Sequence, residues 1–428
     1  MTMVDEEKID EDTAAEHIHG ICLKTGPPRL VGVELEWLVR DARDPGIAVT
    51  ARRIAAAVAE FVAVPGLPTS SRPGALPSGA TLTTEPGGQL ELSSQPADSV
   101  ADLVDATVAD LTALRSAADA AGLELAGIGL DPIRPPRRVL SLPRYAAMEA
   151  FFDRGGPWGR QMMCTTASVQ VCLDAGDESD STTGYRQRWR LLHAIGPVLV
   201  AAFANSPLRE GRPTGWLSAR QQVWSQMDPG RTRPPGAGPD PREEWTRYAL
   251  DAQVMCLRNE GSQDWSAPPG LTFRDWVRGA VDGGRRLRQP TIGDLEYHLS
   301  TLFPPVRPHG HLELRMIDAQ PHDGWIVPLA VTGALLDDAR ASDAAMAAAE
   351  RLWAGDGPGD HDLWLRAARL GPTDPAIGRA SRECFEAARD ALVRQSAPVG
   401  VQSAVDTFIE QYVSRGRCPA DHQLQEAR

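Results

Sequence analysis

The stretch Leu30-Val31-Gly32-Val33-Glu34-Leu35-Glu36-Trp37-Leu38-Val39 constrains this chain more than any other part of it. Apolar and β-branched residues run through it without proline, which predicts a β-strand. Side chains on a strand alternate between faces, so Val33, Leu35, Trp37 and Val39 share an apolar face and Gly32, Glu34 and Glu36 share the other. Carboxylates two residues apart on one face lie about 7 Å apart and repel each other unless water or a cation sits between them. Such a strand belongs to a sheet with one face on a core and the other over water or a charged ligand.

The pattern recurs. Residues 81–94 (TLTTEPGGQLELSS) break at Pro86-Gly87-Gly88 into two strand halves, with Gln89, Glu91 and Ser93 opposite Leu90 and Leu92. Over residues 162–174, Ser168, Gln170, Cys172 and Asp174 alternate with Val169, Val171 and Leu173. Over 311–318, Glu313 and Arg315 lie opposite Leu312 and Leu314. A further short apolar strand is predicted over 123–129. Apolar residues at helical spacing predict helices over 47–64, 99–121 and 183–204, a short one within 291–303, and an Ala-rich helical C-terminal part from 325, broken near 355–360. Stretches 65–80, 131–143 and 228–241 are rich in Pro and Gly or Arg and predict loops. Residues 1–15 read as an acidic mobile tail, and 16–428 as a single catalytic domain. Helices pack on apolar sheet faces, so the polar faces line a cleft and the fold class is α+β with an antiparallel sheet.

Composition narrows the function. The net charge of -13 argues against general nucleic-acid binding. The six cysteines form no CxxC pair, which speaks against a zinc site or a dense disulfide framework. No apolar run reaches the ~20 residues of a membrane span. The acidic start is unlike a leader peptide, and a reducing cytoplasm is the expected compartment. A monomer is the default expectation.

The polar faces and the turn collect Glu34, Glu36, Glu85, Glu91 and Glu313. Mg²⁺ takes carboxylate oxygens and keeps water or phosphate oxygens in its other positions, so this set would suit two or three ions. Taken singly, each glutamate reads more readily as a solvated surface carboxylate, a reading that weakens as glutamate recurs on the polar faces. Arg220 and Arg315 could grip a carboxylate or phosphate through two parallel hydrogen bonds, or form surface ion pairs. Trp37 and Trp224 read as core or pocket wall, and Cys164 and Cys172 as small buried residues. His309 and His311 are loop histidines that could ligate a metal. No GxxxxGK[ST] phosphate loop is present. The residues alone describe a metal- and anion-binding α+β enzyme.

Longer segments carry a resemblance. VGVELEW, TEPGGQLELS, MMCTTASVQVCLD, FANSPLREGRPTGWLSARQQVW and HLSTLFPPVRPHGHLELRMIDAQP resemble, in order, the consecutive motifs of glutamate–cysteine ligases, in particular the plant and proteobacterial branch. They span roughly residues 30 to 320. The resemblance implies a funnel-like, curled antiparallel sheet of the glutamine-synthetase and guanido-kinase type. It implies ATP-dependent joining of the glutamate γ-carboxylate to the amine of cysteine through γ-glutamyl phosphate. On that resemblance Glu34, Glu36, Glu85, Glu91 and Glu313 hold Mg²⁺ against ATP. Arg220 clamps the α-carboxylate of glutamate, and Arg315 neutralises the phosphoryl group. Gln170, Thr166, Asn205 and Trp224 shape the glutamate pocket. Thr165 stands where plant sequences carry Arg. The high-GC composition leans toward the actinobacterial ligases that supply γ-glutamylcysteine for ergothioneine. Two other readings compete: a ligase joining glutamate to another amine, and an inactive nucleotide-binding homologue.

Overall fold

The computed structural model describes residues 8–63, 74–236, 238–259, 261–353 and 361–427. Its centre is strand β1 (Val31–Asp41), the predicted strand. Around it lie β2 (Thr81–Thr84), β3 (Leu90–Ser93), β4 (Leu123–Ala126), β5 (Ser168–Leu173), β6 (Val306–Pro308) and β7 (Leu312–Asp318). The sheet order is β6-β7-β5-β1-β3-β2, with β4 on the C-terminal half of β1, and every pairing is antiparallel.

Register gives the sheet two chemically distinct faces. Leu35 pairs with Leu92 and with Val169, and Val33 with Val171. Leu314 extends the apolar row from β7. These side chains enter a core completed by α3 (Val100–Ala120), α6 (Tyr185–Ala202) and the C-terminal helices Ile326–Asp337, Ala339–Trp353, His361–Leu370, Pro375–Arg394 and Val399–Gln411. On the other face Glu36 pairs with Glu91, Glu34 with Gln170, and Arg307 with Glu313.

Two smaller cores close over the charged face. One gathers Ile18 of α1 (Glu11–Cys22), Trp245 of the helix Pro241–Asp251, Trp276 of Phe273–Val277 and Leu295 of Ile292–Leu299. The other packs α4 (Pro143–Asp153), α5 (Trp158–Thr165) and α7 (Ala219–Ser225) through Met148, Phe152, Met163 and Val223. Among the described residues no helix is long and apolar enough to cross a membrane.

Four expectations are corrected. Residues 11–15 are not a tail but the first turns of α1. The Asp10 carboxylate accepts from the Thr13 amide at 2.9 Å, so the acidic run caps a helix. Residues 1–7 lie outside the described residues. The helix expected over 47–64 is only α2 (Ala51–Ala57), begun by the Thr50 hydroxyl; residue 64, most of the expected loop 65–80 and the break near 355–360 also lie outside them. Residues 162–165 are the end of α5, because the hydroxyls of Thr165 and Thr166 donate back to the carbonyls of Gln161 and Met162, each at 2.6 Å, before β5 begins. Strand β7 carries a bulge: Leu314 faces Val171, but Ile317 faces Val169. The extra residue reverses the alternation, so Asp318, which strict period two places with Leu312 and Leu314, pairs with Ser168 on the charged face.

Candidate active site

A cleft of about 160 Å³ lies on the charged face, lined by Glu36, Glu85, Arg144, Arg220, Trp224, Phe303 and Arg315 among others. Its floor is a ladder of side chains across four strands. The Glu36 carboxylate accepts from the Ser168 amide at 2.9 Å and from the Gln170 amide nitrogen at 3.2 Å. The Gln170 carbonyl accepts from Arg315 Nη1 at 2.5 Å. Arg315 also donates to Glu313, whose two oxygens accept from Arg307 at 2.8 and 3.0 Å. Apart from the Arg315–Glu313 pair within β7, each link joins neighbouring strands, which fixes the charges without help from a loop.

Glu85 reaches the cleft from the turn between β2 and β3. Gly88 lies at φ 88°, in the left-handed region. A Cβ on Gly87 would sit 2.3 Å from the Cys164 carbonyl oxygen, so only glycine lets the turn seat against the end of α5. Gln89 locks it there, donating to the carbonyls of Met163 and Thr166 at 3.2 and 3.0 Å. The Pro-Gly-Gly-Gln sequence is thereby explained as a close backbone approach.

Electrostatics sort the five glutamates. Burial, then the charge of Glu313, pushes the Glu34 carboxyl up to about 7. Burial, then repulsion from Glu36, pushes Glu85 to about 7. Glu91 is driven well above the carboxylate range by burial and by Glu85 and Glu36, although Thr83 donates to it at 3.0 Å. Burial works against the Glu313 carboxylate too, but Arg307 and Arg315 outweigh it and hold its pKa down to about 2. Glu34, Glu85 and Glu91 are thus under-compensated, whereas Glu313 is already paired. Among the described residues no three acidic, imidazole or thiol groups converge into a metal shell. The hard-oxygen donors and their mutual repulsion nevertheless fit a divalent cation of the Mg²⁺ type, which would supply the missing charge.

Arg220 sits at the start of α7, where Ser218 caps the helix. Its side chain is 3% exposed. One nitrogen donates to the Arg315 carbonyl at 2.8 Å, while Nη1 lies 3.8 Å from Asp318. Nε and Nη1 have no hydrogen-bond partner in the protein. Such a buried, incompletely paired guanidinium leaves donors for an anionic ligand. Trp224 and Phe303 meet edge to face at 5.7 Å, with Arg220 over the first ring and Arg315 over the second.

Of the pocket residues read from the sequence, Thr166 and Trp224 line the cleft and Gln170 braces it. Asn205 does not. Its amide nitrogen donates to the carbonyls of Gly127 and Ala319, and its oxygen accepts from Gln423. Every polar atom of that side chain is spent on joining loops behind the site. Burial pushes the Cys164 thiol up to about 12 and the Cys172 thiol well above its ordinary value, which disfavours the thiolate in both. His309 and His311 lie with rings 5.9 Å apart at the β6–β7 turn, away from this lining. Sequence reasoning missed Arg144, Tyr145 and Arg307. The first two open α4, and Pro143 at a first helical position was the signal available for that start.

Comparison with known proteins agrees with this geometry. The profile described as glutamate–cysteine ligase family 2 matches residues 30–427. A glutamate–cysteine ligase, EgtA, of Mycobacterium tuberculosis is 39% identical over 424 residues, 97% of this chain and 90% of that protein. The one from Mycolicibacterium smegmatis is 39% identical over 418 residues, 96% and 90%. A chloroplastic glutamate–cysteine ligase of Medicago truncatula is 32% identical over 249 residues, 56% of this chain and 47% of that one. A solved glutamate–cysteine ligase of Francisella tularensis, in complex with AMP, superposes with a TM-score of 0.54 at 12% identity, over 94% of this chain and 85% of that one, which shows a shared fold.

Proposed function

This chain belongs to glutamate–cysteine ligase family 2, and from that membership we propose that it joins the γ-carboxylate of L-glutamate to the amine of L-cysteine at the expense of ATP. The observation that carries the reading is Arg220, a buried guanidinium with two nitrogens that have no hydrogen-bond partner, in the wall of a cleft that also holds the carboxylates of Glu36 and Glu85. A site of this kind suits an amino-acid carboxylate at one end and a cation-bound phosphate at the other.

In this reading Arg220 grips the α-carboxylate of glutamate and Trp224 and Thr166 bound its chain. Gln170 aligns Arg315, which neutralises charge on the phosphoryl group as it moves to the γ-carboxylate. Glu34, Glu36, Glu85, Glu91 and Glu313 would hold Mg²⁺. Mg²⁺ would supply charge neutralisation of the triphosphate. The remaining catalysis is positioning, which needs no protein nucleophile. The resulting γ-glutamyl phosphate is open to attack by the acceptor amine. The EgtA relatives favour γ-glutamylcysteine destined for ergothioneine; that the enzyme is a cytoplasmic monomer is our proposal.

The test is a coupled ADP assay across a panel of amines, with mass spectrometry of the product. ADP release that requires both glutamate and cysteine, gives a γ-linked dipeptide and stops on chelation of Mg²⁺ is the expected result. ADP release that needs no glutamate, or an α-linked product, would overturn the assignment.

A further inference from the structure

Three guanidinium groups line the cleft, and the reading above uses two of them. The third, Arg144, is not paired with any carboxylate among the described residues. Its two terminal nitrogens donate to the hydroxyl and carbonyl oxygens of Ser300, at 3.0 and 3.1 Å, which fixes the plane of the fork. Its carbon lies 5.0 Å from the centroid of the Tyr297 ring, and that of Arg258 lies 5.1 Å from the same centroid. Trp265 meets Tyr297 edge to face at 5.9 Å. In this group the Tyr297 hydroxyl, Arg258 Nε and Trp265 Nε1 are buried and have no hydrogen-bond partner in the protein. Arg258 has an acidic neighbour in Asp294, at 3.6 Å, and the charge of Arg144 acts on Glu85 in the same cleft.

The group behind Arg144, outside the cleft lining itself, is built almost wholly from donors, which suits Arg144 to an anion in the cleft. The apolar wall beside it is equally specific. Met148, Met162 and Met163 all line the cleft. Thioethers are soft, polarisable and weakly accepting, which suits a small thiol better than a charged or long side chain.

Resting on the ligase reading of this cleft, we propose that Arg144, backed by Tyr297 and Arg258, holds the α-carboxylate of the acceptor, and that the methionine wall receives its thiol. The acceptor is therefore selected as a small α-amino acid, and a simple amine is refused. Arg144 is a specificity residue: it recognises a group that takes no part in the amide bond.

Cysteine and its decarboxylated form, cysteamine, separate the alternatives, each offered to the intact enzyme with saturating ATP and glutamate. Wild-type enzyme is expected to show a KM for cysteamine above that for cysteine by about 30-fold or more, the loss that follows removal of the partner of a buried charge. Arg144→Met should raise the cysteine KM toward the cysteamine value and move the cysteamine KM by less than about threefold on the same argument. Arg258→Ala, at a more exposed position, should shift the cysteine KM in the same direction but less. Equal use of the two acceptors by the wild type overturns the proposal whether or not the variants fold, as does an equal KM rise for both acceptors in Arg144→Met. γ-Glutamylcysteine formed under either of those outcomes leaves the ligase reading standing. No γ-glutamyl product from any acceptor overturns that reading and the proposal with it.

Discussion

Asp318 illustrates how a single residue can govern a site it does not touch. It is 1% exposed and accepts from the Asn205 amide at 2.9 Å, the Ser206 hydroxyl at 2.6 Å and the Ser218 hydroxyl at 2.9 Å. Ser206 in turn accepts from the Arg220 amide at 3.1 Å, and Arg220 Nη1 lies 3.8 Å from the carboxylate. Asp318 therefore orients both the backbone and the fork of Arg220. Asp318→Asn is expected to raise the KM for glutamate about 10-fold or more while kcat and the KM for ATP change little, since the lost contact acts on substrate binding. A fall in kcat alone, with every KM unchanged, would mean that the residue merely keeps the fold intact. Glu36→Gln should abolish turnover in a folded protein. The amide keeps the shape but removes one charge from the cluster, and in-line phosphoryl transfer tolerates little misplacement. Normal kcat in that variant would remove Glu36 from the cation site. Strand alternation put Glu34, Glu36, Glu91 and Glu313 on charged faces, whereas Arg220, on a helix, was named through the motif resemblance. Asn205 was misassigned because a motif position does not reveal where an amide spends its hydrogen bonds.

At the scale of elements, β1, β3 and β5 were legible because period two is an unambiguous signal when one face is wholly apolar. The bulge in β7 was not, since nothing local distinguishes Leu-Arg-Met-Ile-Asp with an extra residue from the same letters in plain register. Alpha-helix α1 was hidden by its own charge, because an acidic run suits both a tail and a helix start. The turn at Gly87 was readable as a turn, but its reason lies in α5, 77 residues away by the Cys164 contact. Gly87→Ala should therefore push the turn off α5 and carry Glu85 out of the cleft. A loss of about 1–3 kcal/mol of stability is expected for such overpacking, with a larger proportional loss of activity. Thermal denaturation and turnover measured on the same sample check this; a fully active Gly87→Ala protein would show that the turn can shift freely.

The whole molecule has two cores that each bury a histidine. His193 in α6 donates from Nδ1 to the Trp189 carbonyl, and burial depresses its pKa to about 4. His298, against the Ala249 carbonyl in the second core, is depressed by burial and then by Arg231 to about 3. Both must lose this neutrality to unfold in acid. An unfolded chain takes up these protons near the ordinary histidine value of about 6.5, whereas the folded one refuses them. Stability is thus complete above about 6.5 and falls as the pH drops toward 4. Replacing both histidines with apolar residues of similar size should flatten that slope, a result readable from urea midpoints between pH 7 and 5; an unchanged slope would place the acid sensitivity elsewhere.

The order of strands in the sheet has a consequence for the chain while it is being made. β1, β3 and the turn before β3 bring their glutamates early, but the arginines that balance the floor arrive on β6 and β7, after residue 305. At about 5–20 residues per second, the ribosome takes roughly 13–50 s from the end of β1 to the start of β6. Throughout that interval the nascent polypeptide exposes an acidic surface on one side and a greasy one on the other, without the C-terminal helices that cover it. A ribosome stalled before residue 305 should hold a protease-sensitive, chaperone-bound chain, and release past β7 should bring protection abruptly rather than strand by strand.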